Sequence, residues 1–151
     1  MNGITGKFLI DTNVLIYATL EEDPRFEVAQ AVLNFGQQDG CQAFLSVQSL
    51  AEMYPNLTGP KTQPPDSPAI AYQKILAIAR LPHLQVLPIT LSVVERALDL
   101  CRRHKVKRQR FFDMQLVSVM LLNSIPTMVT ENDSDFQGVT EIQVINPFAT
   151  P

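Results

Sequence analysis

Apolar positions along this chain follow two rhythms, short apolar-rich runs and wider helical spacing, and their alternation predicts an α/β protein. The runs at residues 7–10, 42–45, 84–87, 127–130 and 142–145 read as strands. Strands alternating with helical segments mean a largely parallel sheet, and a 46% hydrophobic content suggests that several elements are covered on both faces. Helical spacing fills the intervals at 14–20, from 24 to about 35, 47–57, from 68 onward, 92–104 and 112–123. Thr12 or Asn13 is placed to cap the first helix, and Asp23-Pro24 reads as an N-cap followed by proline at the first helical position. Ser67-Pro68 opens another helix, and Ser92 with Glu95 forms a candidate capping box. In the helix at 47–57, Val47, Leu50, Ala51 and Tyr54 share one face and predict its buried side. Residues 58–68 carry Gly59, Pro60, Pro64, Pro65 and Pro68 and read as an exposed, flexible loop inserted within the domain. The expected architecture is a mostly parallel central sheet of about four to five strands with helices on both faces.

Size fits one domain, since 151 residues at 46% hydrophobic and 18% charged can bury a sizeable core without staples. The most apolar segment, 114–129, is interrupted by Gln115, Asn123 and Pro126 and is too short to span a bilayer. It reads as a buried helix and a buried strand. The first residues lack the basic flank and long apolar block of a signal peptide, so a cytoplasmic protein with no membrane partner is expected. Cys41 and Cys101 fit no metal-ligand spacing and read as buried reduced thiols.

A net charge of −3 by itself argues against a nucleic-acid partner. Its distribution argues for one. Half of the 12 Lys and Arg residues lie in Arg102, Arg103, Lys105, Lys107, Arg108 and Arg110, directly before Phe111-Phe112-Asp113. This stretch is either a solvated face or a site for phosphates.

Carboxylates recur where strands end. Asp11 closes the first strand, Glu52 lies in the helix after the second, Asp113 follows the basic stretch, and Thr130 to Phe136 follows the fourth. Asp11 and Asp113 can each be read as helix caps, Glu52 as a solvated helix residue, and 130–136 as a polar turn. In an open parallel sheet, however, ligands bind beyond the carboxyl ends of the strands. Two like charges ~4 Å apart repel by about 4 kcal/mol at an effective dielectric near 20, so converging acids require a cation. Oxygen ligands without histidine or thiolate suit Mg²⁺ or Mn²⁺. Such an ion activates water and stabilises the oxygens of an in-line phosphoryl displacement. No G-x-S-x-G elbow, Walker A loop or dinucleotide fingerprint is present, and His83 and His104 have no evident nucleophile partner. Asp133, Asp135, Gln137 and Gly138 match the first half of a calcium loop, but its twelfth position is Val144 instead of a bidentate Glu.

Taken together, Asp11-Thr12-Asn13, Glu52 within Ser49-Leu50-Ala51-Glu52-Met53-Tyr54, Asp113, and Thr130-x-Asn132-x-x-Asp135-Phe136 resemble the PIN-domain ribonucleases. The resemblance is narrower still to the VapC-type toxins of bacterial toxin–antitoxin pairs. It covers nearly the whole chain, 1–151, as a single PIN-like domain of three layers, and the terminal Asn146-Pro147-Phe148 also resembles the end of many such chains. It implies a metal-dependent endoribonuclease that hydrolyses RNA phosphodiesters with metal-activated water, leaving a 5′-phosphate and a 3′-hydroxyl. Asp11, Glu52 and Asp113 would form the Mg²⁺ (or Mn²⁺) core, and Thr12 or Thr130 would help to position water or a carboxylate. The implied partners are an RNA substrate, a cognate antitoxin and a second copy of the chain in a homodimer. The departure from the pattern is Asn132, where many relatives carry Asp; its amide oxygen can still act as a ligand, and Asp135 could compensate for the missing charge. That departure keeps a second reading open, a catalytically impaired PIN-like module that binds RNA or protein.

Overall fold

Strand β1, Gly6–Ile10, lies at the centre of a five-stranded parallel sheet of order β3-β2-β1-β4-β5. Its neighbours are β2, Cys41–Ser46, and β4, Thr127–Val129; β3, Leu84–Leu87, and β5, Gln143–Ile145, form the edges. Phe8 stands opposite Ala43 and Thr127, and Ile10 opposite Val129. The computed structural model describes residues 3–150; the ends of the expected 1–151 span, residues 1, 2 and 151, lie outside the described residues.

Alternation along the strands divides the interior into two cores. Phe8, Ile10, Ala43, Leu45 and Val129 face helices α1, Thr12–Tyr17, α2, Phe26–Phe35, α3, Val47–Leu57, and α4, Pro68–Ala79. Leu9, Phe44 and Met128 face α5, Leu91–His104, and α6, Phe111–Leu122. This is the expected three-layer α/β arrangement. Helix α6 is buried from Met114 to Met120, as its apolar sequence predicts, and its Ser118 hydroxyl is satisfied by the Val93 carbonyl at 2.6 Å. Among the described residues, no helix is long and apolar enough to cross a membrane.

Several boundaries differ from the expected ones for identifiable reasons. Asp11, not Thr12 or Asn13, caps α1: its backbone is extended and its carboxylate accepts the Thr12 N–H at 2.7 Å. The helix then ends at Tyr17 rather than at residue 20. Asp23 does not open α2, because its carboxylate takes the Arg25 N–H and guanidinium and holds the chain in a turn until Phe26. Thr90 caps α5 by accepting from Val93, so Ser92 already lies inside the helix and makes no cap.

The face of α3 is also turned relative to expectation. Its buried residues are Gln48, Ser49, Met53 and Leu57, whereas Val47 and Tyr54 are exposed, Ala51 is exposed and only Leu50 packs partly against the core. The cause is polar. Gln48 turns inward to bond Glu52, the Phe112 carbonyl and Gln115, and the helix rotates with it. The 58–67 segment is an exposed loop, but it is tied down: buried Thr62 donates to the Asn56 carbonyl at 2.8 Å, and Asp66 pairs with Lys74 of α4 at 2.8 Å.

Candidate active site

The chain reverses its direction of travel across the sheet between β1 and β4, because β1 to β3 build one side and β4 and β5 the other. A crevice opens at the carboxyl ends of strands at such a switch point. Here it is a cleft of about 390 Å³ lined by Asp11, Thr12, Asn13, Gln48, Glu52, Asp113 and Asn132, with Tyr17, Asp23, Arg25, Asn56, Lys61, Thr62 and Glu131 around them.

Asp11 leaves the end of β1 with its N–H bonded to the Val129 carbonyl, which fixes it against the end of β4. Its side chain is held from two sides. Besides the Thr12 N–H, the Thr130 hydroxyl donates to Oδ2 at 2.8 Å and the Asn13 amide approaches the same oxygen at 3.3 Å. Thr130 is fully buried and its oxygen also accepts from Asn13 Nδ2 at 3.1 Å and from the Asn132 N–H at 3.0 Å. Asn13 closes the loop by accepting the Glu131 N–H at 3.0 Å. The two sequence motifs at residues 11–13 and 130–132 thus form one hydrogen-bonded unit.

Glu52 reaches the same cleft from α3. Its Oε2 accepts from the Thr12 hydroxyl at 3.1 Å and its Oε1 from Gln48 Nε2 at 3.0 Å. Gln48 in turn donates to the Phe112 carbonyl at 3.1 Å and accepts from Gln115 at 2.7 Å, so one buried amide joins Glu52 to the helix that carries Asp113. Asp113 lies in the first turn of α6, where the positive end of the helix dipole favours a carboxylate.

These acids lie close enough to act on one another's ionisation. Burial, Glu52 and Asp135 all push the Asp11 carboxyl up, against the opposing hydrogen bonds from Thr130 and Thr12. Asp113 is raised to about 6, first by burial and then by Asp135, Asp11 and Glu52, with Arg110 opposing. Carboxylates in this state are poised to accept a cation. No three His, Cys, Asp or Glu side chains among the described residues close on an ion by themselves. The donor set nevertheless fits Mg²⁺ or Mn²⁺, since it is all oxygen and such ions are commonly held by one or two carboxylates with water and substrate oxygens completing the shell.

Asn132 lines the cleft and is exposed. Asp135 does not line it, but its charge acts on both Asp11 and Asp113. Its N–H is bonded to the Asn132 carbonyl at 3.0 Å and its own carbonyl accepts from Arg110 at 2.8 Å. Asp133 instead turns to Asn146, whose amide donates to it and to the Glu131 carbonyl, each at 3.1 Å.

The basic stretch lies apart from the cleft. Arg102 and Arg103 pair with Asp99 at 2.6 and 3.2 Å, and Arg103 also reaches Glu141 at 3.7 Å. They cluster at the C-terminal end of α5, where cations are favoured by the helix dipole. Lys105, Lys107 and Arg108 are exposed around the turn to α6 and form no ion pair among the described residues. Only Arg110 acts on the acids, through Asp113 and the Asp135 carbonyl.

Several cleft residues carried little signal in the sequence. Arg25 bonds Asp23 through two nitrogens, each at 2.9 Å, and Glu131 at 2.8 Å, and its guanidinium stacks 3.7 Å from the centre of the Tyr17 ring. The Tyr17 hydroxyl donates to Glu131 and is pushed up to about 12, mainly by burial and that acceptor. Gln48 could have been noticed as a polar residue one helical turn before Glu52; Arg25 and Lys61 offered no such spacing.

A family model described as PIN domain matches residues 8–142. No curated protein matches the sequence. Among solved structures, a chain of the VapBC2 complex from Rickettsia felis, bound to a DNA fragment from its promoter, superposes with a TM-score of 0.66 at 15% identity, covering 93% of this chain and 98% of that one. A chain of VapBC-1 from nontypeable Haemophilus influenzae gives 0.65 at 16% identity, covering 95% and 99%. VapC20 of Mycobacterium tuberculosis, described as a sarcin–ricin loop cleaving toxin, gives 0.61 at 18% identity, covering 80% and 86%.

Proposed function

This chain belongs to the PIN-domain family, and from that premise we propose that it is a divalent-metal-dependent endoribonuclease, the toxin of a VapC-type toxin–antitoxin pair. The observation that carries the reading is the cleft at the switch point. Acids from three separate segments, Asp11, Glu52 and Asp113, line it together, and Asp11 and Asp113 are raised first by burial and then by neighbouring carboxylates. Solved structures of similar fold include toxin–antitoxin complexes and one toxin described as cleaving the sarcin–ricin loop, which supports the biological side of the reading.

Asp11, Asp113 and Glu52 would hold Mg²⁺ or Mn²⁺, with Asn132 lining the same cleft as a further oxygen ligand and Asp135 adding its charge nearby. When bound, such an ion supplies Lewis-acid stabilisation of the phosphoryl oxygens and an acidified water. Thr130 and Asn13 keep the Asp11 carboxylate aimed into the cleft, and Thr12 and Gln48 do the same for Glu52. With water as the nucleophile in place of the ribose 2′-hydroxyl, and with the P–O3′ bond broken so that the 3′-oxygen leaves and takes up a proton, the products carry a 5′-phosphate and a 3′-hydroxyl.

The partners proposed are an RNA substrate, a cognate antitoxin and, through the apolar face of exposed Val47, Ala51, Pro55 and Phe112 with half-buried Ile89, a second copy of the chain. The place of action is the cytoplasm. Inducible expression of the chain and of its Asp11→Asn variant in a bacterium tests the toxin reading. Growth arrest with RNA fragmentation in the parent alone is expected. Unimpaired growth and intact RNA with soluble, folded parent protein would overturn it and favour a binding module in which Asn132 has weakened the site.

A further inference from the structure

A nucleic-acid strand entering this cleft brings more than one phosphate, and a metal at the acids offsets charge only around the phosphate it touches. The next phosphate meets Glu52, Glu131 and Asp23, and each unit charge at close range counts against it. Two cations line the cleft, Arg25 and Lys61. Arg25 is already committed: its guanidinium holds Asp23 through two bonds and Glu131 through a third, and these partners push its pKa up. Lys61 is exposed and forms no ion pair among the described residues.

The loop that carries Lys61 is pinned on both sides of it. Thr62, 5% exposed, donates to the Asn56 carbonyl at 2.8 Å, and its own N–H bonds the Gly59 carbonyl at 3.2 Å. Beyond it, the Asp66 N–H bonds the Leu57 carbonyl at 2.8 Å. At Gly59 a side chain would not fit, since a Cβ there would stand 2.6 Å from the Pro55 carbonyl oxygen. The backbone is therefore fixed while the ammonium remains a mobile point charge on a long stem, the form in which lysine binds phosphate.

We infer that Lys61 is the phosphate-binding residue of the cleft, taking a phosphodiester of single-stranded nucleic acid next to the one held at the acids. The inference rests on the nuclease reading for the identity of the ligand, but the binding can be measured without cleavage. A cleft of about 390 Å³ is of small-ligand size, enough to take a nucleotide unit of a single strand.

The test is fluorescence anisotropy with a labelled single-stranded RNA and the DNA of the same sequence, using full-length protein with Asp11→Asn as the parent, across a salt series. One phosphate contact on a single strand contributes about 0.7 to the slope of log affinity against log salt. Lys61→Gln should therefore weaken binding about eightfold at 50 mM salt and about twofold at 300 mM, and flatten the slope by about 0.7. Lys61→Arg should bind within about twofold of the parent at 50 mM salt. Arg80→Gln, which removes an exposed cation at the end of α4 outside the cleft, should change nothing. Equal losses on RNA and DNA identify the backbone phosphate as the contact; a loss on RNA alone would overturn that assignment. The inference also fails if Lys61→Gln binds like the parent, if Arg80→Gln loses as much, or if the parent binds neither strand. Failure of the wild-type chain to cut RNA would overturn the nuclease reading and leave these binding outcomes readable.

Discussion

Replacing Asp113 by Asn should stabilise the metal-free protein at neutral pH while removing its activity. The Asp113 carboxyl is raised from 3.8 to about 6 in the fold, by burial and by the neighbouring acids. Between those values the folded state holds a proton that the unfolded state has released. Stability is therefore unaffected by this group below about pH 4, falls as pH rises from about 4 to about 6, and stays reduced above that. Each pH unit between the folded and unfolded values corresponds to about 1.4 kcal/mol, which sets a ceiling of about 3 kcal/mol; partial exposure of the side chain brings the expected gain to about 1–2 kcal/mol. For a chain of this size that is a rise in Tm of roughly 2–8 °C. Urea unfolding from pH 4 to 8 in EDTA, parent against Asp113→Asn, reads it directly. The difference should vanish near pH 4 and be complete above pH 6. Adding Mg²⁺ or Mn²⁺ at pH 7.5 should raise the parent towards the variant. A variant no more stable than the parent at pH 7.5, or a gain that persists unchanged at pH 4, would refute the reasoning.

Thr130→Val removes the hydroxyl that bonds Asp11, Asn13 and the Asn132 N–H in a fully buried setting. It should cost about 2–3 kcal/mol in urea unfolding, and activity should fall with it, whereas a loss under about 0.5 kcal/mol would show that the network is not coupled to the fold. Ser49 lies on the buried face of α3 with a hydroxyl that finds no partner among the described residues, so Ser49→Ala should be neutral or stabilising by up to about 1 kcal/mol by the same assay.

The elements and the acids were legible in the sequence because both depend on local pattern. Short apolar-rich runs produce the five parallel strands, and each acid stands a fixed few residues from a strand end or helix start, so the topology alone brings Asp11, Glu52 and Asp113 to one cleft. What was not legible depends on contacts between distant residues. The side of α3 that faces inward is decided by Gln48 meeting Phe112 and Gln115 of α6, against the apolar spacing of Val47, Ala51 and Tyr54. The charge run at 102–110 was visible, but Asp99 and Glu141 occupy its two leading arginines, and only the folded chain places Glu141 there. Conversely Lys61 sits in a proline-rich loop that reads as a flexible insertion, and only its anchors at Asn56, Leu57 and Lys74 bring it to the cleft. The cap of α1 shows a third case: Asp11 is both the capping residue and a cleft acid, so the two readings of that residue do not compete.

The most direct test of the central claim is cleavage of end-labelled total cellular RNA by the purified, antitoxin-free protein in Mg²⁺ or Mn²⁺, with EDTA and Asp11→Asn run in parallel. The account predicts discrete products bearing 5′-phosphates and 3′-hydroxyls that disappear in both controls. Folded, metal-supplied protein that leaves the whole RNA pool intact would contradict it, as would products that persist in EDTA or carry 2′,3′-cyclic phosphate ends.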